Sequence, residues 1–517
     1  MAKTSNSNRV IGILVILLMV YAGLFFAKPI DLSTADLGRH IVNGELILNG
    51  IPDVLYTNHF AFTEQNRSFV NHHWASGVVF YLVHSMAGFK GLSALYVLLT
   101  ILAFLFMGMA SSARNHKAIV ALVVIAIVPL VAYRVEVRPE GISYALLATY
   151  YLLYSKFRAG SINLKQLAIP LILLQVLWVN LHIFFFLGLL VSGAFWIESL
   201  VQKKAESKNL LLLLIGLIAV SLINPHLHNG LLAPLTIFTE YGYMVAENQT
   251  LFFMQERFSN PEFYHFEIFG ALVLVTLGFM FFKGFWKENI PEILLGLSFL
   301  VLATVAVRGI PLFAFFFIPL ASAVLNHLVD GMTYKPKDAT LKYLPYLGIA
   351  FLVVFIPMKG TYASARKGYE KLGLVEGINA CGEFIRSNKI PGKIFNNYDF
   401  GGYLIYHLHD KEKVFVDNRP EAYSVAFFDS IYKPMQQDKL IWDEKSEEYG
   451  INLIIFYRHD NTPWAQPFLI GKAQDPAWVP IFVDQVSLVL IKNQESNRQW
   501  IEEFALPREM FSGVPNN

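Results

Sequence analysis

Eleven apolar runs dominate the chain, at approximately 10–27, 92–112, 118–133, 141–155, 167–180, 183–201, 210–223, 268–282, 293–307, 310–325 and 343–358. A helix needs roughly 20 apolar residues to cross the hydrocarbon of a bilayer, and several of these runs are shorter. Short spans are tolerated inside a bundle, where they end in protein or in a polar cavity rather than in lipid. Of all residues 55% are hydrophobic and 15% charged, against about 25% charged in an average soluble chain. The first 358 residues therefore read as a polytopic helical membrane bundle of about 11 spans. In 359–517 charge is frequent and no run can cross a bilayer, so this part reads as a separate α/β domain.

The connections between runs alternate in charge. One set carries Lys3 and Arg9, Arg114 and Lys117, Lys156, Arg158 and Lys165, Lys203, Lys204 and Lys208, Lys283 and Lys287, then Lys335, Lys337 and Lys342. The other set is poor in Lys and comprises 28–91, 134–140, the turn at 180–182, 224–267 and the turn at Arg308. Lys and Arg concentrate on the cytoplasmic side of membrane proteins. The N-terminus is therefore expected in the cytoplasm and the C-terminal domain outside it. Val10–Ala27 reads as an uncleaved first span, because it is longer than a signal-peptide core and lacks a small-x-small site before Lys28. The stretch 76–88 is too short for a span and contains His84, so it is expected as an interfacial helix.

The Lys-poor side is chemically loaded. It holds Asp36, His40, His72, His73, Arg138, Glu140, Asn180, His182, Asn224, His226 and Arg308. Ionisable groups at a bilayer edge are costly unless they pair, face water or meet a ligand, so a one-sided crowd of them points to a reaction or binding chamber. Leu37, Ile41, Leu46 and Leu48 with polar residues between them predict an amphipathic helix on the membrane surface, and Asp36 and His40, four residues apart, share one of its faces. Asp36 reads either as a helix cap paired with His40 or as a carboxylate for base or metal work. His72 and His73 are adjacent, about 100° apart on a helix, and are poor joint ligands for one metal. In Arg138-Pro139-Glu140, the proline suits a first helical turn, Glu140 the positive end of the helix dipole, and Arg138 a phosphate or a lipid headgroup. Asn180 and His182 must hydrogen-bond across helices, since unpaired polar groups at that depth are expensive. Pro225, after Asn224, ends a helix and leaves carbonyls in need of donors. Arg308 is a lone cation in a tight turn.

In the C-terminal domain, strands are expected at 393–397, 413–417, 452–456, 480–484 and 486–491, with helices near 400–409 and 421–448. This alternation predicts a mainly parallel sheet, with a terminal hairpin turned at Asp484-Gln485. Asp417 and Arg419 fall at a strand end, where ligands of open α/β sheets bind, or else form an ion pair that fixes the loop. The single cysteine, Cys381, excludes an intramolecular disulfide and a cysteine-based zinc site. A net charge of +2 argues against a nucleic-acid partner.

Several motifs together resemble the GT-C superfamily of polytopic glycosyltransferases, and bacterial members with a C-terminal soluble domain most closely. They are Asp36-Leu-Gly-Arg39-His40-Ile-Val-Asn-Gly-Glu45, His73-Trp74, Arg138-Pro139, Trp178-Val-Asn180-Leu-His182, Asn224-Pro225, Gly401-Gly402-Tyr403-Leu and Val414-Phe-Val-Asp417-Asn-Arg419-Pro-Glu. The resembling proteins often carry Trp where this chain has Arg39. The resemblance implies transfer of a sugar from a polyprenyl-phosphate-linked donor to an extracytoplasmic glycan, lipid or protein acceptor at a bacterial inner membrane. It makes Asp36 the expected base, with His40, His72, His73, Arg138, Glu140, Asn180, His182, Asn224 and Arg308 as candidate substrate and phosphate contacts. A divalent metal, Mg or Mn, is open, with Asp36 as its possible ligand. Two other classes compete: a lipid or solute transporter, against which stands the lack of an internal repeat, and an inactive GT-C-like scaffold.

Overall fold

The computed structural model of the chain describes residues 2–33, 35–51, 53–237, 241–332, 334–365 and 372–511, with side chains described from residue 9 onward except in 333–340 and 359–371. Pro52 of the first loop and the side chains of Lys3, Lys335 and Lys337 lie outside the described residues. Two compact units emerge. One comprises Met1–Pro29, Ser93–Leu231 and Met244–Leu372; the other comprises Ile30–Leu92, Leu232–Tyr243 and Gly373–Asn517. The first loop thus belongs with the C-terminal segment, a grouping that apolar runs do not reveal.

Each of the eleven apolar runs falls on a helix. Among the described residues, eight helices are long and apolar enough to cross a membrane, and the chain is an integral membrane protein. Two shorter apolar helices, Lys117–Val131 and Ser207–Val220, and the more polar Glu140–Arg158 account for the rest. Burial separates their roles. Ser207–Val220 buries only Leu210, Leu213 and Leu217, a seam at helical spacing, and leaves its other faces apolar and exposed, as a lipid-facing helix should. Ile310–Asp330 is buried along almost its whole first half, so a helix apolar on every side occupies the middle of its unit.

The Trp74–Ser112 helix is two helices that meet at Gly88, whose φ of 59° and ψ of −159° interrupt the helical path. Only glycine takes that conformation without strain. The segment expected to lie apart, 76–88, is therefore a helix that breaks from the span after it.

The second unit carries a four-stranded sheet in the order β1-β2-β4-β3, with β1 Lys393–Asn396, β2 Ile451–Tyr457, β3 Trp478–Val483 and β4 Ser487–Lys492. β1 and β2 are parallel, whereas β2/β4 and β3/β4 are antiparallel. The sheet is mixed rather than mainly parallel, because the last two strands close a hairpin in which Asp484 Oδ1 accepts from the amides of Val486 and Ser487 at 2.8 and 2.6 Å. The expected strand at 413–417 does not form. Asn396, fully buried at the end of β1, intercepts that stretch with its side chain, donating to Val416 O at 2.8 Å and accepting from Phe415 N at 3.0 Å. The stretch bridges the first loop instead, at Ala61 and Val414.

Candidate functional site

The chemistry expected of the Lys-poor side divides between the two units. In the second unit it starts from the Leu37–Leu48 helix. Its first eight residues, Leu37 to Gly44, are buried, so it is an internal element and not the surface helix its amphipathic pattern suggests. Glycines make that burial possible. A Cβ on Gly38 would lie 2.8 Å from Gly402 O and from Tyr406 Cβ, and one on Gly44 would lie 2.1 Å from Gly77 O. The helix is wedged between Gly401–Leu408 on one side and the helix beginning at Trp74 on the other.

That wedge fixes Asp36 at the N-cap position, although its carboxylate makes no capping hydrogen bond to the backbone. Asp36 Oδ2 lies 3.3 Å from Arg39 Nη2 and 3.4 Å from His40 Nε2. The side chain of Asp36 is 19% exposed, while Arg39 and His40 are buried at 6% and 0%. The carboxylate is thus gripped from its protein side and reachable from outside. Arg39 Nε also donates to Asn418 Oδ1 at 3.2 Å. Burial pulls the Arg39 guanidinium below its usual range, with Asp36 opposing that pull and Arg419 adding to it. The His73 ring meets His40 edge-on at 5.4 Å and His72 at 4.0 Å. His72 Nδ1 lies 3.0 Å from Val70 O. A carbonyl only accepts, so that nitrogen carries the proton.

Asp417 and Arg419 stand behind this group. Arg419 donates to Asp417 through Nε at 2.7 Å and Nη2 at 2.6 Å, and through Nη2 to Asn58 Oδ1 at 2.8 Å. Its guanidinium lies over the rings of Phe60 and Phe69 at 5.2 and 5.0 Å. Tyr423 donates to Asp417 Oδ2 at 2.9 Å. Burial works against the charge of Arg419, but the Asp417 carboxylate overrides it and holds the guanidinium above its ordinary range. A pair this enclosed ties the first loop to 417–423 and supports the loop-fixing reading of these two residues. Glu421, the last residue of the motif that begins at Val414, faces the same arginines. Burial pushes its carboxyl up, against the pull of Arg39 and Arg419.

In the first unit, three arginines and three carboxylates interlock. Arg138 pairs with Glu136 at 2.9 Å and Glu247 at 2.7 Å. Arg134 pairs with Glu247 at 2.9 Å and Glu140 at 3.3 Å. Arg308 lies 3.6 Å from Glu140, donates to Asn248 Oδ1 at 2.9 Å and sits over the Phe184 ring at 5.1 Å. Arg308 is therefore not a lone cation. Glu140 opens its helix after Pro139 as expected, and its buried carboxylate also balances two arginines. Arg134 and Glu247 were missed. Both lie in Lys-poor connections, and Arg134 shares its connection with Arg138.

The other candidates in this unit hold helices together. Asn180 Nδ2 donates to Val176 O at 2.7 Å and across to Ile223 O at 2.8 Å, supplying a donor to a carbonyl freed where the helix ends before Pro225. Asn224 closes the same turn through Ser221 O, Leu227 O and His226 N. His182 Nδ1 lies 2.7 Å from Ser143 Oγ, which accepts from Trp178 Nε1 at 2.8 Å. Among the described residues no group of three or more His, Cys, Asp or Glu is placed to hold a metal ion, and the oxygen of Asp36 nearest to its neighbours already faces an arginine.

No protein-family model matches the chain, and no curated protein matches it by sequence. Solved structures do match. The oligosaccharyltransferase AglB of Archaeoglobus fulgidus, in complex with an inhibitory peptide and a dolichol-phosphate, superposes with TM-score 0.58 at 12% identity over 92% of this chain and 73% of that one. ArnT of Cupriavidus metallidurans bound to undecaprenyl phosphate gives TM-score 0.52 at 10% identity, over 94% and 98%. The arabinofuranosyltransferase AftD from Mycobacteria gives 0.52 at 13% identity, over 93% and 41%. These proteins are GT-C membrane glycosyltransferases, and the chain shares their fold.

Proposed function

We propose that this GT-C-fold chain is a membrane glycosyltransferase. It takes a sugar from a polyprenyl-phosphate-linked donor and gives it to an acceptor outside the cytoplasm, with Asp36 as the base. In this reading it sits in a bacterial plasma membrane with its N-terminus in the cytoplasm and its C-terminal segment outside. The observation that carries the reading is the Asp36 carboxylate, 19% exposed and held from behind by Arg39 and His40, in the first loop of a chain with this fold. Two structural neighbours are named as holding dolichol-phosphate or undecaprenyl phosphate, which supports the donor class.

The step balances simply. An acceptor O–H or N–H attacks the anomeric carbon, the bond from that carbon to the lipid phosphate oxygen breaks, and the acceptor proton passes to Asp36. The negative charge leaves on the polyprenyl phosphate, where cationic donors stabilise it. Within the first unit, Arg138 is a candidate contact for an anion, because its partner Glu136 is 49% exposed and exchangeable for one. Arg134, Glu140 and Arg308 keep Arg138 in place through Glu247 and their mutual pairs.

General-base catalysis contributes about 10²- to 10⁴-fold. Asp36→Asn keeps the size of the side chain and removes the base, so purified variant should transfer sugar at least about 100-fold more slowly than wild type. Wild-type turnover by a folded Asp36→Asn protein would refute the assignment.

A further inference from the structure

At the Lys-rich end of the first unit, away from the residues discussed above, the ends of four helices enclose a cavity of about 440 Å³. Ligand sites commonly span about 300–1,000 Å³. The helix ends are the last turn of Glu140–Arg158, the start of Leu164–Leu181, the last turn of Phe186–Val201 and the start of Ser207–Val220. The lining presents both signs of charge, through Arg158 and Lys204 on one hand and Glu198 and Glu206 on the other.

Arg158 is a built feature of this wall. Its side chain is nine-tenths buried, over the Phe195 ring at 5.1 Å. It binds Glu292 at 2.5 Å and Glu198 at 3.2 Å, which fixes the guanidinium in the wall. Lys204 is 36% exposed and lies 3.7 Å from Glu198, a loose pair that can be exchanged.

With Arg158 and Lys204 set against Glu198 and Glu206, the lining is close to neutral. A simple anion or cation would meet repulsion from one half of it, whereas a zwitterion satisfies both halves. The two helices that start at the cavity continue as apolar surface, with Leu173, Leu177, Leu212 and Ile215 all more than half exposed. Acyl chains entering from the cavity would find a lipid-facing groove there.

We propose that this cavity binds a phosphoethanolamine group, phosphate toward Lys204, ammonium toward Glu206, carried by a phospholipid whose tails lie along the exposed apolar faces. The site is independent of the transfer reaction.

The test is native mass spectrometry of the purified full chain in detergent, titrated separately with dioleoyl phosphatidylethanolamine, phosphatidylglycerol and phosphatidylcholine, and with soluble phosphoethanolamine. The ethanolamine lipid should bind at least about tenfold more tightly than the other two lipids, one factor of ten being about 1.4 kcal/mol. Lys204→Gln should lose that preference while its thermal unfolding stays at the wild-type value, and Lys283→Glu should retain it. Competition by soluble phosphoethanolamine as strong as by the lipid would show that the headgroup alone is recognised, within the same proposal. Equal binding of the three lipids, preference for phosphatidylglycerol, or an unchanged preference in Lys204→Gln would overturn it.

Discussion

The Arg419–Asp417 pair shows how much one contact carries. Both side chains are buried, at 3% and 0% exposure, and the pair is bidentate. Removing one partner of a buried pair strands the other charge and costs about 3–5 kcal/mol, whereas replacing both is often far milder. Arg419→Met should therefore lower the thermal unfolding midpoint markedly, and Arg419→Met with Asp417→Asn should recover part of the loss. A double variant no more stable than the single one would contradict the stranded-charge account. His407 provides a pH-dependent case. Burial, and then Arg386, push its imidazole down to about 4, and its Nε2 is buried without a hydrogen-bond partner. The folded chain holds this histidine neutral while the unfolded chain protonates near 6.5. Its contribution to stability is thus complete above about 6.5 and is lost as pH falls from there toward 4, by roughly 3 kcal/mol in all. His407→Gln removes that titration, so the gap in unfolding midpoint between variant and wild type should shift in the variant's favour between pH 7 and pH 5. A gap that stays constant would exclude His407 as the source.

Elements were legible from the sequence where their own composition decides them. Each apolar run falls on a helix because a segment that leaves water must satisfy its backbone internally, and that requirement does not depend on its neighbours. Four of five expected strands formed for a similar reason, being short β-branched or aromatic runs. The fifth, 413–417, failed because a side chain far along the chain, Asn396, took the hydrogen bonds a neighbouring strand would have supplied. The site shows the same division. Asp36 and His40 share a helix face by spacing alone, but the partners Arg134 and Glu247 are brought together only by the fold. Likewise, the amphipathic pattern of Leu37–Leu48 cannot tell a membrane surface from a protein interior, whereas its glycines can. Gly38→Val would press a branched side chain against Gly402 O and Tyr406, both 2.8 Å from the first carbon added, and so displace Asp36 at the head of the helix. If the assignment of Asp36 holds, this variant should lose at least about tenfold in turnover, since small misplacements of a reacting group are costly. Gly216→Ala, in a helix where an added Cβ meets nothing within 4 Å, serves as the control and should be neutral or stabilising by up to about 1 kcal/mol. Equal turnover in Gly38→Val and wild type would mean that the close packing of this helix does not position the site.

At the scale of the whole molecule, composition distinguishes membrane from soluble parts but not which segments pack together. The unit that holds the sheet also contains Ile30–Leu92 and Leu232–Tyr243, two segments that follow or precede apolar helices of the other unit. If the charge alternation is a true topology signal, these segments and the C-terminal one must share one side of the membrane, because a folded unit with Arg419 buried against Asn58 cannot be split across a bilayer. The compact second unit therefore gives the topology a consistency test that charge counting alone lacks. The chain is well suited to a labelling experiment. Its one cysteine, Cys381, is buried, and burial pushes the thiol up to about 12, far from the reactive thiolate. New cysteines at Asp53 of the first loop and at Lys439, which is 76% exposed, should both react with a membrane-impermeant maleimide on intact cells. One at Lys203 should react only after the membrane is permeabilised. Labelling of Lys203→Cys in intact cells would reverse the orientation. Labelling of position 439 without position 53 would instead break the second unit apart, and with it the pairing of the Asp36 loop with Asn418 and Arg419.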